Sequence, residues 1–134
     1  MHQNQWFELA YDDIDSAKIM LREGKHNIVC YFSHQAAEKG LKGVLEFNGV
    51  NPPRTHNLID LVNLCNNIDD LFKGVLSQAR LLNQFYIPTR YPVAPPGSLP
   101  TGAPNKDVAQ KALSHAETIL YLCNSRCAPN NPRS

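Results

Sequence analysis

The densest set of reactive side chains in this sequence is the run Ser33-His34-Gln35-Ala36-Ala37-Glu38-Lys39-Gly40-Leu41-Lys42. His34 and Glu38 stand one helical turn apart. That spacing serves a general acid–base pair, or equally an i,i+4 hydrogen bond that steadies the surface of a bundle. As metal ligands the two lack the third and fourth partners a zinc site needs, and no cofactor or metal is expected. A second cluster follows in Pro53-Arg54-Thr55-His56-Asn57-Leu58. Lys39, Lys42, Arg54 and His56 can together bind phosphate, with the free N–H groups of a helix starting after Thr55 as further donors. The alternative is that the lysines are solvated and His56 anchors the helix start. The third cluster is Tyr86-Ile87-Pro88-Thr89-Arg90-Tyr91-Pro92. Arg90 lies there between Tyr86 and Tyr91 in a proline-constrained turn, placed either to stack on a base or to pin the loop to a core. No glycine-rich phosphate loop accompanies these groups.

These side chains need helices to hold them. Between Gln5 and Glu23, Trp6, Ala10, Ala17 and Met20 recur at helical spacing beside Phe7, Tyr11, Ile14 and Leu21, and Gly24 is placed to end that helix. Asp13 interrupts its small-residue stripe. A carboxylate there either holds a basic residue or a tyrosine hydroxyl from another helix, or stays solvated at the stripe edge as most aspartates do. A second helix is expected from about Asn27 to Phe47, stopped by Asn48-Gly49, with Ser33, Ala36, Ala37, Gly40 and Val44 forming a seam of small residues. Small side chains admit a close neighbour, which offsets the cost of glycine, about 1 kcal/mol against alanine. Gln35, Lys39, Lys42 and Glu46 make a polar stripe alongside.

Thr55 is expected to cap a third helix carrying Leu58, Leu61, Val62 and Cys65 and ending at Asn66-Asn67. A fourth, from about Asp69 to Tyr86, should present Leu71, Val75, Ala79, Leu82 and Tyr86 on one face until Pro88 stops it. Residues 87–104 form a proline-rich loop, packed over Tyr86 to Pro92 and exposed at Pro95-Pro96-Gly97-Ser98. Asn105 caps a last helix whose stripe is Ala109, Ala112, Leu113, Ala116, Ile119, Leu120 and Cys123. No segment alternates as a strand does. The expected fold is an all-α, antiparallel up-and-down bundle of four main helices plus a shorter one.

The chain of 134 residues fits a single domain over 1–134. A formal charge of +1 disfavours a nonspecific DNA binder, so any nucleic-acid contact must come from a local cluster. The N-terminus lacks a signal-peptide pattern and no apolar run reaches membrane-spanning length, so a cytoplasmic protein without membrane association is expected. Cys30, Cys65, Cys123 and Cys127 are scattered and read as reduced structural thiols.

Taken together, Ala10-x-x-Asp13-Ile14-x-x-Ala17, Gln35-x-Ala37-Glu38-Lys39-x-Leu41-Lys42, Thr55-His56-x-Leu58 and Pro88-Thr89-Arg90-Tyr91-Pro92 resemble the HEPN domain family, from about Trp6 to Leu122. The resemblance implies a helical bundle that pairs as a homodimer and works with a nucleotidyltransferase partner in a toxin–antitoxin arrangement. Many relatives are metal-independent RNases, using an arginine followed after four to six residues by a histidine. This chain departs from that pattern at Arg22 and His26, at Arg54 and His56, and at Arg90, which has no histidine before His115. No catalytic residue is therefore assigned. The preferred expectation is a noncatalytic nucleotide- or RNA-binding protein using Lys39, Lys42, Arg54, His56, Arg90 and Tyr91, with Asp13, His34 and Glu38 as structural polar groups. The alternatives are an RNase toxin with a rearranged site using His34 or His56, and a structural dimerisation or interaction module.

Overall fold

A computed structural model of the chain describes residues 5–86, 96–99 and 102–127. It is all-α among those residues: α1 (Gln5–Arg22), α2 (His26–Phe47), α3 (Leu58–Ile68), a 3-10 segment (Asp70–Val75), α4 (Leu76–Asn83) and α5 (Lys106–Cys127). The helix ends follow local chemistry. Gly24, at φ 75°, closes α1 while the Lys25 N–H reaches back to the Met20 carbonyl at 2.9 Å. Gly49, at φ 77°, does the same for α2, with the Val50 N–H on the Leu45 carbonyl at 2.8 Å. Both turns use the left-handed conformation that glycine adopts without steric cost.

The central helix is α2, which packs on α1, α3, α4 and α5 and buries 13 of its 22 residues. Ser33, Ala36, Ala37, Gly40 and Val44 are all buried, as the small-residue seam requires. Gly40 abuts Leu120 and Cys123 of α5, and Gly43 abuts Trp6 and Phe7 of α1, so the two glycines serve opposite neighbours. The α5 stripe is buried in full from Ala109 to Cys123, with Cys127 added to it, and Asn105 caps that helix through the Val108 N–H at 2.9 Å. All four cysteines are buried free thiols, and burial pushes Cys30 and Cys65 up to about 12. Among the described residues, no helix is long and apolar enough to cross a membrane.

Two expectations require correction. The single helix expected over Asp69 to Tyr86 is a 3-10 segment followed by the short α4. Side chains compete for its backbone donors: Asp69 Oδ1 accepts from the Leu71 N–H at 3.1 Å, and Asn66 Oδ1 takes the Lys73 N–H at 3.1 Å. Asp69 is itself held by Arg126 Nε on α5 at 2.6 Å. The tighter winding shifts the buried phase, so Phe72 is buried and Leu71 is 51% exposed. The expected exposed tip is also only partly so, since Pro96 is exposed but the two residues after it are not. Gly97 and Ser98 are buried against the start of α2, Asn27 Nδ2 donates to the Pro96 carbonyl at 3.1 Å, and a Cβ at Gly97 would collide with the Asn27 carbonyl. Arg90, Tyr91 and most of the proline-rich loop lie outside the described residues.

The seam yields a test. Gly40→Val gains helix propensity but forces a branched side chain into Leu120, and should lower unfolding free energy by about 2 kcal/mol or more. Gly74→Ala, which meets nothing within 4 Å, should leave it within about 0.5 kcal/mol, as read from urea unfolding of both variants.

Candidate functional site

Glu38 is the centre of the polar face of α2. It is only 6% exposed, and a carboxylate so placed must find partners or lose its charge. One comes from its own helix: Lys42, a turn later and equally buried, donates from Nζ to Glu38 Oε2 at 2.9 Å. The other comes from the segment before α3, where His56 Nδ1 lies 3.0 Å from both carboxylate oxygens. A carboxylate only accepts, so Nδ1 carries a hydrogen and Nε2 is turned away from Glu38. The His56 side chain is 46% exposed, and Nε2 acts as an acceptor only in the neutral form of the ring. The Lys42 ammonium also lies 5.9 Å from the centroid of the Trp6 ring, and Trp6 Nε1 donates to Glu46 at 2.9 Å.

His34 is fully buried behind this pair. Its Nε2 donates to the His56 carbonyl at 3.1 Å, which fixes the tautomer. The neutral ring then has an acceptor at Nδ1, and the Gln35 amide, 3.2 Å away, must turn its nitrogen towards it. Burial lowers the His34 pKa despite the nearby Glu38 carboxylate. The ring stacks on Tyr86 at 5.3 Å between centroids and 16° between planes, and Tyr86 meets His56 at 4.6 Å. The expected i,i+4 hydrogen bond from His34 to Glu38 is not made. His34 Nδ1 and Glu38 Oε1 are 4.0 Å apart, and His34 belongs to the core rather than to a bundle surface.

The start of α3 differs from expectation in a way that matters for anion binding. Asn57, not Thr55, is the N-cap, with Oδ1 accepting from the Ile59 and Asp60 N–H groups, while Thr55 Oγ1 accepts from the Asn57 N–H. The Leu58 N–H goes to Asn83 Oδ1 at 2.8 Å, and the Leu61 N–H goes to the Asn57 carbonyl at 3.2 Å. All four leading donors of α3 are thus occupied, and the phosphate cradle expected there is closed by carboxamides. Asn83 Nδ2 also donates to Asn57 Oδ1 at 3.1 Å, tying the end of α4 to the start of α3. His56, Asn57, Asn83 and Tyr86 line one surface recess.

The two lysines of the expected patch are not solvated. Lys39 holds Asp13 at 2.7 Å, so Asp13 is a buried partner of a basic residue and not a solvated edge group. Burial nonetheless raises the Asp13 pKa, outweighing the hydrogen bond and charge of Lys39. Arg54 is exposed and makes no ion pair among the described residues. The fold therefore brings Glu38, Lys42, His56 and His34 together and puts Lys39 with Asp13 instead. Asn57 was missed although asparagine is as good an N-cap as threonine. Asn83 carries no sequence signal, since its partners lie 25 and 26 residues away. Among the described residues no three His, Cys, Asp or Glu side chains gather as a metal would require.

The buried imidazole couples stability to pH. A histidine whose folded pKa lies below its ordinary 6.5 is protonated first in the unfolded chain, so its contribution is complete above that pH and is lost as pH falls below it. His115, lowered by partial burial, acts with the same sign. Urea unfolding should show stability declining from pH 6.5 downward. In His34→Gln, which can still donate to the His56 carbonyl, that decline should shrink to the share of His115.

Comparison with known proteins agrees with the all-α fold. The family model for the HEPN domain matches residues 3–126. Among solved structures, an archaeal HEPN homologue aligns at 26% identity and a TM-score of 0.74, covering 95% of this chain and 99% of its own. A protein from Thermus thermophilus aligns at 28% identity and a TM-score of 0.78, covering 92% of this chain and 99% of its own. A HEPN domain protein of Thermotoga maritima shares the fold at 23% identity and a TM-score of 0.74, over 93% of this chain and 98% of its own. No curated protein matches the chain. With the family model spanning nearly every described residue and these folds superposing from end to end, the chain belongs to the HEPN domain family.

Proposed function

We propose that this HEPN protein is a noncatalytic binder of a nucleotide or RNA fragment, acting as a homodimer with a nucleotidyltransferase partner in a toxin–antitoxin-like system. The observation that carries the ligand reading is the recess of His56, Asn57, Asn83 and Tyr86, which sets an aromatic and imidazole wall beside polar side chains at the protein surface. Aromatic faces take bases, and exposed Arg54, two residues before His56, can take a phosphate. Lys42 supports the site from behind through Glu38, while Lys39 is committed to Asp13. Family membership supports the partner, and exposed Leu9, Ile19, Phe47 and Val50 supply apolar surface for a second copy.

Thermal unfolding against a panel of nucleotides and short RNAs tests this reading. Saturation near 100 times the dissociation constant adds about 2.7 kcal/mol, which moves the midpoint by several degrees. The shift should vanish in Arg54→Glu and in His56→Ala. A shift that both variants retain removes the recess as the site, and no shift with any nucleotide or RNA removes the function.

One observation favours a second reading, an RNase with a rearranged site. Glu38 holds His56 by Nδ1 and leaves Nε2 outward, the arrangement in which a carboxylate orients an imidazole as a general base towards a ribose 2'-hydroxyl. It predicts RNA cleavage that survives chelator, leaves a cyclic phosphate and is lost in His56→Ala. Intact RNA after prolonged incubation excludes it.

A further inference from the structure

About two helical turns beyond Glu38, α2 carries another carboxylate whose surroundings are the reverse of the first. Glu38 is buried and neutralised, whereas Glu46 is exposed and makes no ion pair among the described residues. Its partner is an aromatic ring: Trp6 Nε1 of α1 donates to Glu46 Oε1 at 2.9 Å. That bond fixes the edge of the indole against the carboxylate and leaves Oε2 without a donor among the described residues. Gln5, Trp6, Leu9 and Glu46 line a surface recess of about 380 Å³, mostly apolar in its walls, with Glu46 as its charged member. Lys42 also lies 5.9 Å from the indole centroid, but it is only 6% exposed and is committed to Glu38 at 2.9 Å. The charge that the recess presents to solvent is therefore negative.

A carboxylate beside an indole and an apolar wall is complementary to a cation that is itself flat and weakly hydrated. Guanidinium meets that description: it stacks on aromatic rings and its fork of N–H donors matches a carboxylate, whereas an ammonium holds its water more tightly. The recess is near the small end of the range for ligand pockets, which suits a single side chain. Exposed hydrophobes accompany it: Leu9, in its wall, at 46%, and Phe47, next to Glu46 in the chain, at 48%. A pocket for one anchor among apolar contacts is the arrangement of a protein–protein hot spot, where arginine is among the enriched anchors. We propose that the recess of Gln5, Trp6, Leu9 and Glu46 is a docking site for an arginine of a partner protein, carried on a segment with apolar residues beside it. The inference goes beyond the nucleotide reading above and does not rest on it.

Trp6 is the chain's only tryptophan, so its emission reports on the recess directly. The probe is the peptide acetyl-Leu-Arg-Leu-amide, titrated into the full chain and followed by tryptophan fluorescence. It should bind saturably, and about tenfold or more tighter than the same peptide with neutral, isosteric citrulline in place of arginine, because the bond lost is charge-assisted. The decisive variant is Glu46→Gln. Its amide oxygen still accepts from Trp6 Nε1, so the unliganded emission and the thermal midpoint should hold, while affinity for the arginine peptide falls about tenfold or more. Equal binding of the citrulline peptide, unchanged affinity in Glu46→Gln, or no saturable change at any soluble concentration each overturns the proposal. Leu9 and Phe47 also belong to the surface offered above to a second copy, and sedimentation of Glu46→Gln decides between the two occupants. An oligomeric state equal to the parent's supports the arginine partner, whereas a lost dimer assigns the recess to the second copy and overturns it. None of these outcomes bears on nucleotide binding at His56, so the proposal and the function above fail separately.

Discussion

A single buried carboxylate organises the polar half of this bundle. Glu38 sits on the helix that every other helix touches, and an ion in that position is tolerated only because two donors meet it in good geometry. Lys42 comes with the helix itself, one turn on. His56 does not, and requiring it fixes where the chain between α2 and α3 must run. Once His56 is there, its backbone carbonyl lies over the His34 ring, and His34 in turn carries the face of Tyr86 at the end of α4. The segments before α3 and after α4 are thus registered to one side chain of α2. Removing Glu38 would leave Lys42 buried without its partner, a more expensive state than never having buried the pair.

The opposite half of α2 solves a different problem. Its neighbours α1 and α5 are long and amphipathic, and their apolar faces approach closely because Ala36, Ala37, Gly40 and Gly43 have so little bulk. Packing between these three helices is dense. The recess lies instead on the polar side, where α3 and α4 are short and their ends come together. The 3-10 segment contributes to this. By breaking the run between Asp69 and Tyr86, and by anchoring Asp69 to Arg126 of α5, it lets α4 end beside the start of α3. The carboxamides of Asn57 and Asn83 then close both helix ends with one hydrogen-bonded pair and present their remaining donors at the surface.

Charge is therefore arranged inward before it is arranged outward. Lys39 and Lys42, the two cations that draw attention on α2, neutralise Asp13 and Glu38, and what remains for a ligand is Arg54, the outer nitrogen of His56 and two amides. A site of this composition, on a chain of net charge +1, is suited to hydrogen-bond and stacking contacts more than to attraction of phosphate.

Local rules determined much of this in advance. Glycine at 24 and 49 and Asn105 marked helix ends correctly, because those conformations and caps are decided within a few residues. The 3.6-residue period of α2 and α5 assigned their buried faces, since a long amphipathic helix has one way to hide its stripe. The fourth helix was illegible because Asn66 and Asp69 compete for backbone donors only when the chain has already turned, and a propensity sum cannot see that competition. The polar residues of α2 were legible as a cluster, but not their pairing: Lys39 and Lys42 are three residues apart and go to different helices' carboxylates. Partners 18 to 26 residues distant decide the Glu38–His56 contact, the Asp13–Lys39 pair and the junction of Asn57 with Asn83. Outside Asp69 to Tyr86, the sequence by itself determined which residues would be helical and which face each helix would bury, through interactions within one or two turns. Only the tertiary structure decided which charges are cancelled and which donors reach solvent, because that depends on groups that folding brings together from far along the chain.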